Sequence, residues 1–533
     1  MPAGTGIHRF RSAAVRIGAW TLGSRVLGLI RDCLMFSQFG RGMESGAFFL
    51  AWTVPNLFRR LFGEGALSAA FVPVLTGRLE ADGIAGARRS LQAVFGALLG
   101  LLVLLVALGL AVVFLLPESW LAGGSEDADY GPLLRSLLLV LLPYLIPICL
   151  LALAAAAQNV SGRFALPAFA PVLLNCFWIG ALLWLAGREL DAGDKAIRLA
   201  VCLLLGGLCQ LLVQLPGIRR SGLLGRPRWE LQSPDLRKVA AGMAPMMLGL
   251  SVVQLNVLAT QLIAAFVISA DGANSVMFLA HRLLEFPHAL LGIALGTAVF
   301  PLFSLLGVRG DVNELRATLD RALSSGLFLA IPAAGGLMVL APGLFEVLFV
   351  RGRFTPADGA ETALVLRVIS VSLPALVGVQ ILARAHYASG DTRTPVRIAL
   401  VSFLAALPLG VYLALRLGTL GLAISSTASM LGNASLLLFS MRRRLPGSKG
   451  GVWHTAGRAL LATLPTCAVA HVLLVELGQV WGQSSLALRL FFMLLVPLLG
   501  GAVTFLVAAW VLGAREMKEL WGVAVRRGRA DSA

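Results

Sequence analysis

Residues 90–116 read SLQAVFGALLGLLVLLVALGLAVVFLL, 27 consecutive positions without a charge. A helix rises about 1.5 Å per residue, so roughly 20 apolar residues cross the ~30 Å hydrocarbon core of a bilayer. This stretch is long enough to span. Residues 459–475 and 490–512 repeat the pattern. The strands of a membrane β-barrel would instead alternate over ~10 residues, and no such alternation occurs. The expected fold is an all-α polytopic membrane protein.

The composition agrees. Of the 533 residues 58% are hydrophobic and 13% charged, and the mean hydropathy is +0.85. A soluble chain of this length carries about 25% charged residues to cover its surface. The apolar surplus is accounted for when lipid is the solvent. The formal net charge is +17. It sits mainly in short loops, as the positive-inside rule requires. No platform of interleaved aromatic and basic residues appears, so nucleic acid is not an expected partner. The six cysteines, Cys33, Cys149, Cys176, Cys202, Cys209 and Cys467, lie in or beside apolar segments without a C-x-x-C pair. They read as small buried hydrophobes. The first apolar stretch contains Arg25 and Arg31 and lacks a cleavage site, so it reads as a span and not as a secretory signal.

Hydropathy places about 14 spans, near 13–37, 46–72, 90–116, 132–157, 164–187, 196–216, 239–268, 273–302, 319–345, 360–388, 395–416, 418–441, 456–478 and 487–513. The first two are weak because they carry charges. Keeping them makes the loop charges alternate. The loop after span 3 is acidic (Glu118, Glu126, Asp127, Asp129) and reads as a solvated loop. The loops after spans 6 and 12 are basic, with Arg219, Arg220, Arg226 and Arg228 in one and Arg442, Arg443, Arg444 and Lys449 in the other. The tail adds Arg526, Arg527 and Arg529. These basic segments fall on one side, which sets both termini in the cytoplasm. Arg351 and Arg353 are the exception.

An internal repeat supports the count. ALSAAFVP (66–73) and ALGTAVFP (294–301) share A-L-x-x-A, two apolar residues, then proline, and close spans 2 and 8. Six spans separate them. The implied organisation is an N-terminal lobe over 1–216, a C-terminal lobe over 217–444, and two extra helices with a basic tail over 445–533. Transporters built from such repeats hold substrate between the halves.

The charged spans carry the chemistry. On a helix at 100° per residue, Thr21, Ser24, Arg25, Gly28, Arg31 and Asp32 fall in one arc about 120° wide, and the leucines lie outside it. Two readings compete: a stripe facing a wet cavity, or a surface amphipathic helix with snorkelling arginines. Arg25 lies near mid-span, which favours the cavity, since a buried arginine costs on the order of 3 kcal/mol and needs a partner or a purpose. Span 2 places Asn56, Arg59 and Gly63 on one face. Span 8 holds Asn274, His281, Arg282, Glu285 and His288, with Arg282 and Glu285 at i,i+3. Span 10 offers Gln380, Arg384 and Tyr387, with Arg384 equally readable as a topology charge. Arginines outnumber carboxylates in the span interiors. Such a lining binds anions, and the planar guanidinium fork suits phosphate. No G-x-x-x-x-G-K-[ST] or H-E-x-x-H occurs. Neither a cofactor, a metal, nor an enzymatic activity is expected.

These segments resemble the MurJ/MviN family of lipid II flippases, in the multidrug/oligosaccharidyl-lipid/polysaccharide exporter superfamily. The resemblance runs nearly the full length. It rests on Ser24-Arg25-Val26-Leu27-Gly28 with Arg31-Asp32, Pro55-Asn56-Leu57-Phe58-Arg59-Arg60, Arg282-Leu283-Leu284-Glu285-Phe286-Pro287, Arg351-Gly352-Arg353-Phe354, Ala383-Arg384-Ala385-His386-Tyr387 and Asp391-Thr392-Arg393-Thr394-Pro395. It implies two six-helix lobes in a V plus two C-terminal helices framing a groove for a lipid tail. The family's essential arginines fall on Arg25, Arg31, Arg59 and Arg282, and its span 8 acid on Glu285. Two positions depart from the pattern. Gly46 stands where members often have Asp. Span 7 offers Asn256 and Thr260 but no acid for sodium. The resemblance implies flipping of lipid II by alternating access through a cationic central cavity lined by Ser24, Arg25, Arg31, Asn56, Arg59, Arg282 and Glu285. Membrane lipids and proteins of cell-wall synthesis and division are the implied partners, in the bacterial inner membrane. The rival readings are a flippase for another undecaprenyl-pyrophosphate-linked glycan and a drug or ion antiporter of the same superfamily.

Overall fold

The computed structural model describes residues 3–123, 125, 127–268, 272–447, 451–514 and 516–517, with side chains from Trp20 onward except 63–66, 245, 248–250 and 293–294. Glu126, Lys449 and the arginines at 526, 527 and 529 lie outside the described residues, and so does the side chain of Glu64.

Within them the chain is helical. In order come α1 (Ala3–Phe39), α2 (Met43–Phe58), a π-helical segment (Arg59–Ala66), α3 (Leu67–Leu115), α4 (Glu118–Ala122), α5 (Tyr130–Leu141), α6 (Leu145–Val160), α7 (Ala165–Ala186), α8 (Ala192–Arg220) and α9 (Pro234–Phe266). There follow α10 (Ala273–His288), a second π segment (Ala289–Ile293), α11 (Ala294–Arg309), α12 (Val312–Leu348), α13 (Pro356–Ser370), α14 (Leu373–Ala388), α15 (Arg393–Arg444), α16 (Gly451–Trp481), α17 (Leu486–Arg489), a third π segment (Leu490–Leu495) and α18 (Val496–Val511).

Nine helical runs among the described residues are long and apolar enough to cross a membrane, or ten if the bent pair α13–α14 is one crossing. Two of the nine hold more than one span. The run over 43–115 is broken at Gly83 (φ 64°), and α15 at Gly418 (φ 59°). Glycine alone takes this left-handed backbone at no steric cost. The charged α1 is outside the nine, as is α9, whose apolar part is the shorter 251–266.

The chain divides into two compact units, residues 1–275 with 352–354, and residues 276–351 with 355–533. The core of the first is built mainly by the first π segment, α3 and α6, around Phe71, Leu102, Tyr144 and Leu153. Its α1 packs along α7, and α9 lies on α3. In the second unit α12 packs against α16, and Phe328 meets Phe505 at 5.1 Å. Among the cysteines only Cys149 is fully buried, and Cys176 is exposed. The expectation of six buried cysteines fails there, because a thiol is apolar enough to face an apolar surround.

The helix order is duplicated with a shift of 228 residues. The helices beginning at Leu145 and Ala165 recur as those beginning at Leu373 and Arg393, and the helix ending at Val160 recurs as the one ending at Ala388. Both 16-residue helices α2 and α10 run into π turns just before the repeated A-L-x-x-A strings. AQNVSGRFALP (157–167) and AHYASGDTRTP (385–395) share Ala, Ser, Gly and Pro at matched places. Their serines bond back identically, Ser161 to the Ala157 carbonyl and Ser389 to the Ala385 carbonyl. Their glycines take the same positive φ, 71° and 76°.

Candidate functional site

The α1 stripe meets α7. Arg31 is largely buried, with 11% of its side chain exposed, and Asp32 2%. A lone guanidinium here would be costly, and its neighbours satisfy it. Its Nε and Nη2 donate to Asp32 Oδ1, at 2.9 and 2.6 Å. Its Nη1 donates to Asn175 Oδ1 at 3.2 Å, and the group lies 4.3 Å from the centre of the Trp178 ring. Asn175 Nδ2 then donates to the Ser24 carbonyl at 2.9 Å and to its hydroxyl at 3.3 Å. Both α7 residues are buried. Ser24 and Arg31 stand two turns apart on one helix face, and one α7 side chain ties them.

Arg25, on the same stripe, is half-buried. In α2, Pro55 sits one turn before the helix passes into π geometry, and the π segment opens with Arg59. Such bulges replace the regular bonding pattern and recur at functional sites. Arg59 Nε donates to Asn56 Oδ1 at 3.0 Å, which aims the guanidinium along the face that the spacing predicts. Tyr144 is buried in the turn between α5 and α6. Trp52 of α2 lies between the rings, 5.1 Å from Tyr144 and 5.0 Å from Trp178.

Arg282 and Glu285 belong to the second unit. They face each other at 3.8 Å on α10, both partly exposed at 37% and 48%. His281 Nδ1 bonds the Met277 carbonyl at 2.9 Å. Asn274, assigned to the same span by the sequence, turns away. Its amide donates to the carbonyl and side-chain oxygen of Gln261, at 2.7 and 2.6 Å, and ties α10 to α9. In α9 the Thr260 hydroxyl is turned back to the Asn256 carbonyl at 2.9 Å. Among the described residues no group of three His, Cys, Asp or Glu side chains could hold a metal ion.

Ser24 and Arg31 are thus tied together by α7, Asn56 and Arg59 pair where α2 passes into the π segment, and Arg282 pairs with Glu285 on α10. Sequence reasoning missed Asn175, Trp178 and Tyr144. The one available signal was an asparagine in the otherwise uncharged α7. The described acidic residues of the loop are largely exposed, as in a solvated loop, and make local bonds. Glu118 accepts from Arg135 at 2.7 Å, and Asp127 Oδ1 accepts the Asp129 backbone N–H at 3.0 Å.

The arrangement offers guanidiniums oriented by carboxamides, and no nucleophile with a base. Its chemistry is that of holding an anion.

Residues 35–492 match the family model described as lipid II flippase MurJ. The probable lipid II flippase MurJ of Vibrio cholerae serotype O1 is 36% identical over 528 residues, covering 96% of this chain and 98% of its own. That of Haemophilus influenzae is 32% identical, covering 93% and 98%. Among solved structures, a lipid II flippase MurJ in an inward closed conformation shares the fold with a TM-score of 0.75 at 22% identity, over 93% of this chain and 98% of its own. An inward-facing multidrug resistance MATE family transporter of the MOP superfamily aligns with a TM-score of 0.63 at 16% identity, over 81% and 98%. With more than four-fifths of its length inside that family model, the chain belongs to the lipid II flippase MurJ family.

Proposed function

We propose that this multi-pass inner-membrane protein flips lipid II, the lipid-linked peptidoglycan precursor, from the inner to the outer leaflet, with no covalent chemistry. The full-length likeness to proteins named lipid II flippase carries the substrate. The cationic stripe held by Asp32 and Asn175 is its chemical counterpart, since lipid II presents a pyrophosphate and an anionic peptide. Arg25, Arg31, Arg59 and Arg282 hold these anions, with Ser24, Asn56 and Glu285 orienting them. Transport proceeds by alternating access, driven by differential affinity between two states. Both termini lie in the cytoplasm, by the loop charges. The 228-residue shift supports a division into six helices (1–216), six helices (217–444) and two extra helices (445–533). Cell-wall synthesis and division proteins are the proposed protein partners.

The test is complementation of a bacterium depleted of its own lipid II flippase, with wild type and Arg59→Ala at equal expression. Rescue by wild type alone supports the reading. Failure of a well-expressed wild type points to another undecaprenyl-pyrophosphate-linked glycan. Full rescue by the variant removes Arg59 from the site.

A further inference from the structure

The opposite face of α7 carries a second feature. Asn175 and Trp178 point to α1. Cys176, Phe177, Gly180 and Trp184, with Cys202 and Leu205 of α8, line an open groove of about 530 Å³. That lies within the ~300–1,000 Å³ of sites for small molecules. The helices are in register there, because Gly206 sits against Phe177 and Leu174. The groove exists because Gly180 has no side chain, and a Cβ there would meet nothing within 4 Å.

The stripe does not stay apolar. One turn beyond Trp184, Arg188 folds back with its guanidinium 4.2 Å from the centre of the Trp184 ring. On α8, Arg198 stands one turn from Cys202 and two from Leu205, on the groove's own face, and is exposed. With the helices antiparallel and Gly206 level with Phe177, Arg198 comes level with Trp184. Two arginines therefore cap an apolar trough that runs about 15 Å along the helices. Glu189 and Asp194 stand beside them, both exposed, so the mouth offers both signs of charge.

We propose that this groove is a binding site for a bilayer phospholipid with a zwitterionic head. One acyl chain lies along Phe177, Gly180 and Leu205. The phosphate accepts from Arg188 and Arg198, and the head ammonium faces Asp194 or Glu189. Apolar trough, paired guanidiniums and adjacent carboxylates match the three parts of such a lipid in order, whereas a purely anionic head would meet the carboxylates unfavourably.

The experiment is native mass spectrometry of the full-length protein in detergent, titrated with dioleoyl phosphatidylethanolamine and, separately, dioleoyl phosphatidylglycerol. Arg188→Gln/Arg198→Gln removes the cap. Gly180→Leu fills the trough, and the open space at Gly180 lets it fold. Wild type retains one phosphatidylethanolamine in preference to phosphatidylglycerol. Retention falls about tenfold in either variant, the scale expected on losing charge-assisted bonds to phosphate or the space for a chain. Equal retention by all three proteins, or a preference for phosphatidylglycerol, overturns the proposal. So does efficient disulfide trapping of Cys176 between two chains in native membranes, which would put a second copy over the groove.

Discussion

Asn175 accepts from Arg31 at 3.2 Å and donates to the Ser24 carbonyl at 2.9 Å, so one side chain bridges the two. Through it the charged stripe of α1 is set by α7 and not by α1 alone. An arginine in a span can swing toward the interface along its own stem. Arg31 is instead held between a carboxylate, a carboxamide and an indole face.

Replacing Asn175 by leucine removes one hydrogen bond from the Arg31 guanidinium and another from the Ser24 carbonyl. A hydrogen bond to a charged group contributes about 1.5–3 kcal/mol. Asn175→Leu is expected to lower the melting temperature in detergent and to weaken complementation, while Asn175→Gln recovers part of both. Wild-type melting and full rescue by Asn175→Leu would show that the bridge is dispensable.

The fold was legible because lipid imposes a length and a polarity that hydropathy reads directly. The α1 stripe was legible because Ser24, Arg25 and Arg31 share one helix and a known angle per residue. Asn175 and Trp178 were not, since they reach Arg31 from 144 and 147 positions away and no local period encodes that pairing. The π turns at Arg59 and Ala289 were equally hidden, because hydropathy is blind to a change in helical pitch. The repeat was visible as one uninterrupted octapeptide. Its stronger copy, 157–167 against 385–395, shares only four scattered residues, and it is recognised by the backbone those residues impose.

Arg31→Lys keeps the charge and loses the geometry. The ammonium cannot bond Asp32 through two nitrogens while also reaching Asn175 and lying flat on Trp178. The expected result is at least about a tenfold loss of complementing activity at equal expression, the equivalent of about 1.4 kcal/mol. Full activity of Arg31→Lys would mean that charge alone is used.

Small residues let membrane helices approach, and two glycines of the second unit show where this is needed. On α11 a Cβ at Gly307 would lie 2.1 Å from the Ala388 carbonyl oxygen of α14, while at Gly378 of α14 it would meet nothing within 4 Å. Gly307→Ala should therefore destabilise by about 1–3 kcal/mol through overpacking. Gly378→Ala should be neutral or slightly stabilising. Thermal unfolding of the two variants side by side tests this, and equal melting temperatures would refute the close approach of α11 and α14.

The turn between α14 and α15 gives the pH dependence. Burial alone would raise Asp391, but the hydroxyl and backbone N–H of Thr394, the Arg444 guanidinium and His386 outweigh it and hold its carboxyl at about 2. Arg444 Nη2 lies 2.7 Å from Oδ2, and the Thr394 N–H donates to Oδ1 at 3.0 Å. A carboxylate held below its unfolded value of about 3.9 stabilises the fold above that value, and the contribution is lost as pH falls toward 2. The part of the melting temperature that Asp391 supplies should accordingly be constant above about pH 5 and fall between about pH 4 and 2. Asp391→Asn keeps the shape and removes the charge on which Arg444 closes. It should melt lower than wild type at neutral pH and lose this part of the acid step. If Asp391→Asn and wild type fall in parallel with acid, the acid sensitivity lies elsewhere, and the link from Asp391 to Arg444 contributes nothing to holding α15 in place.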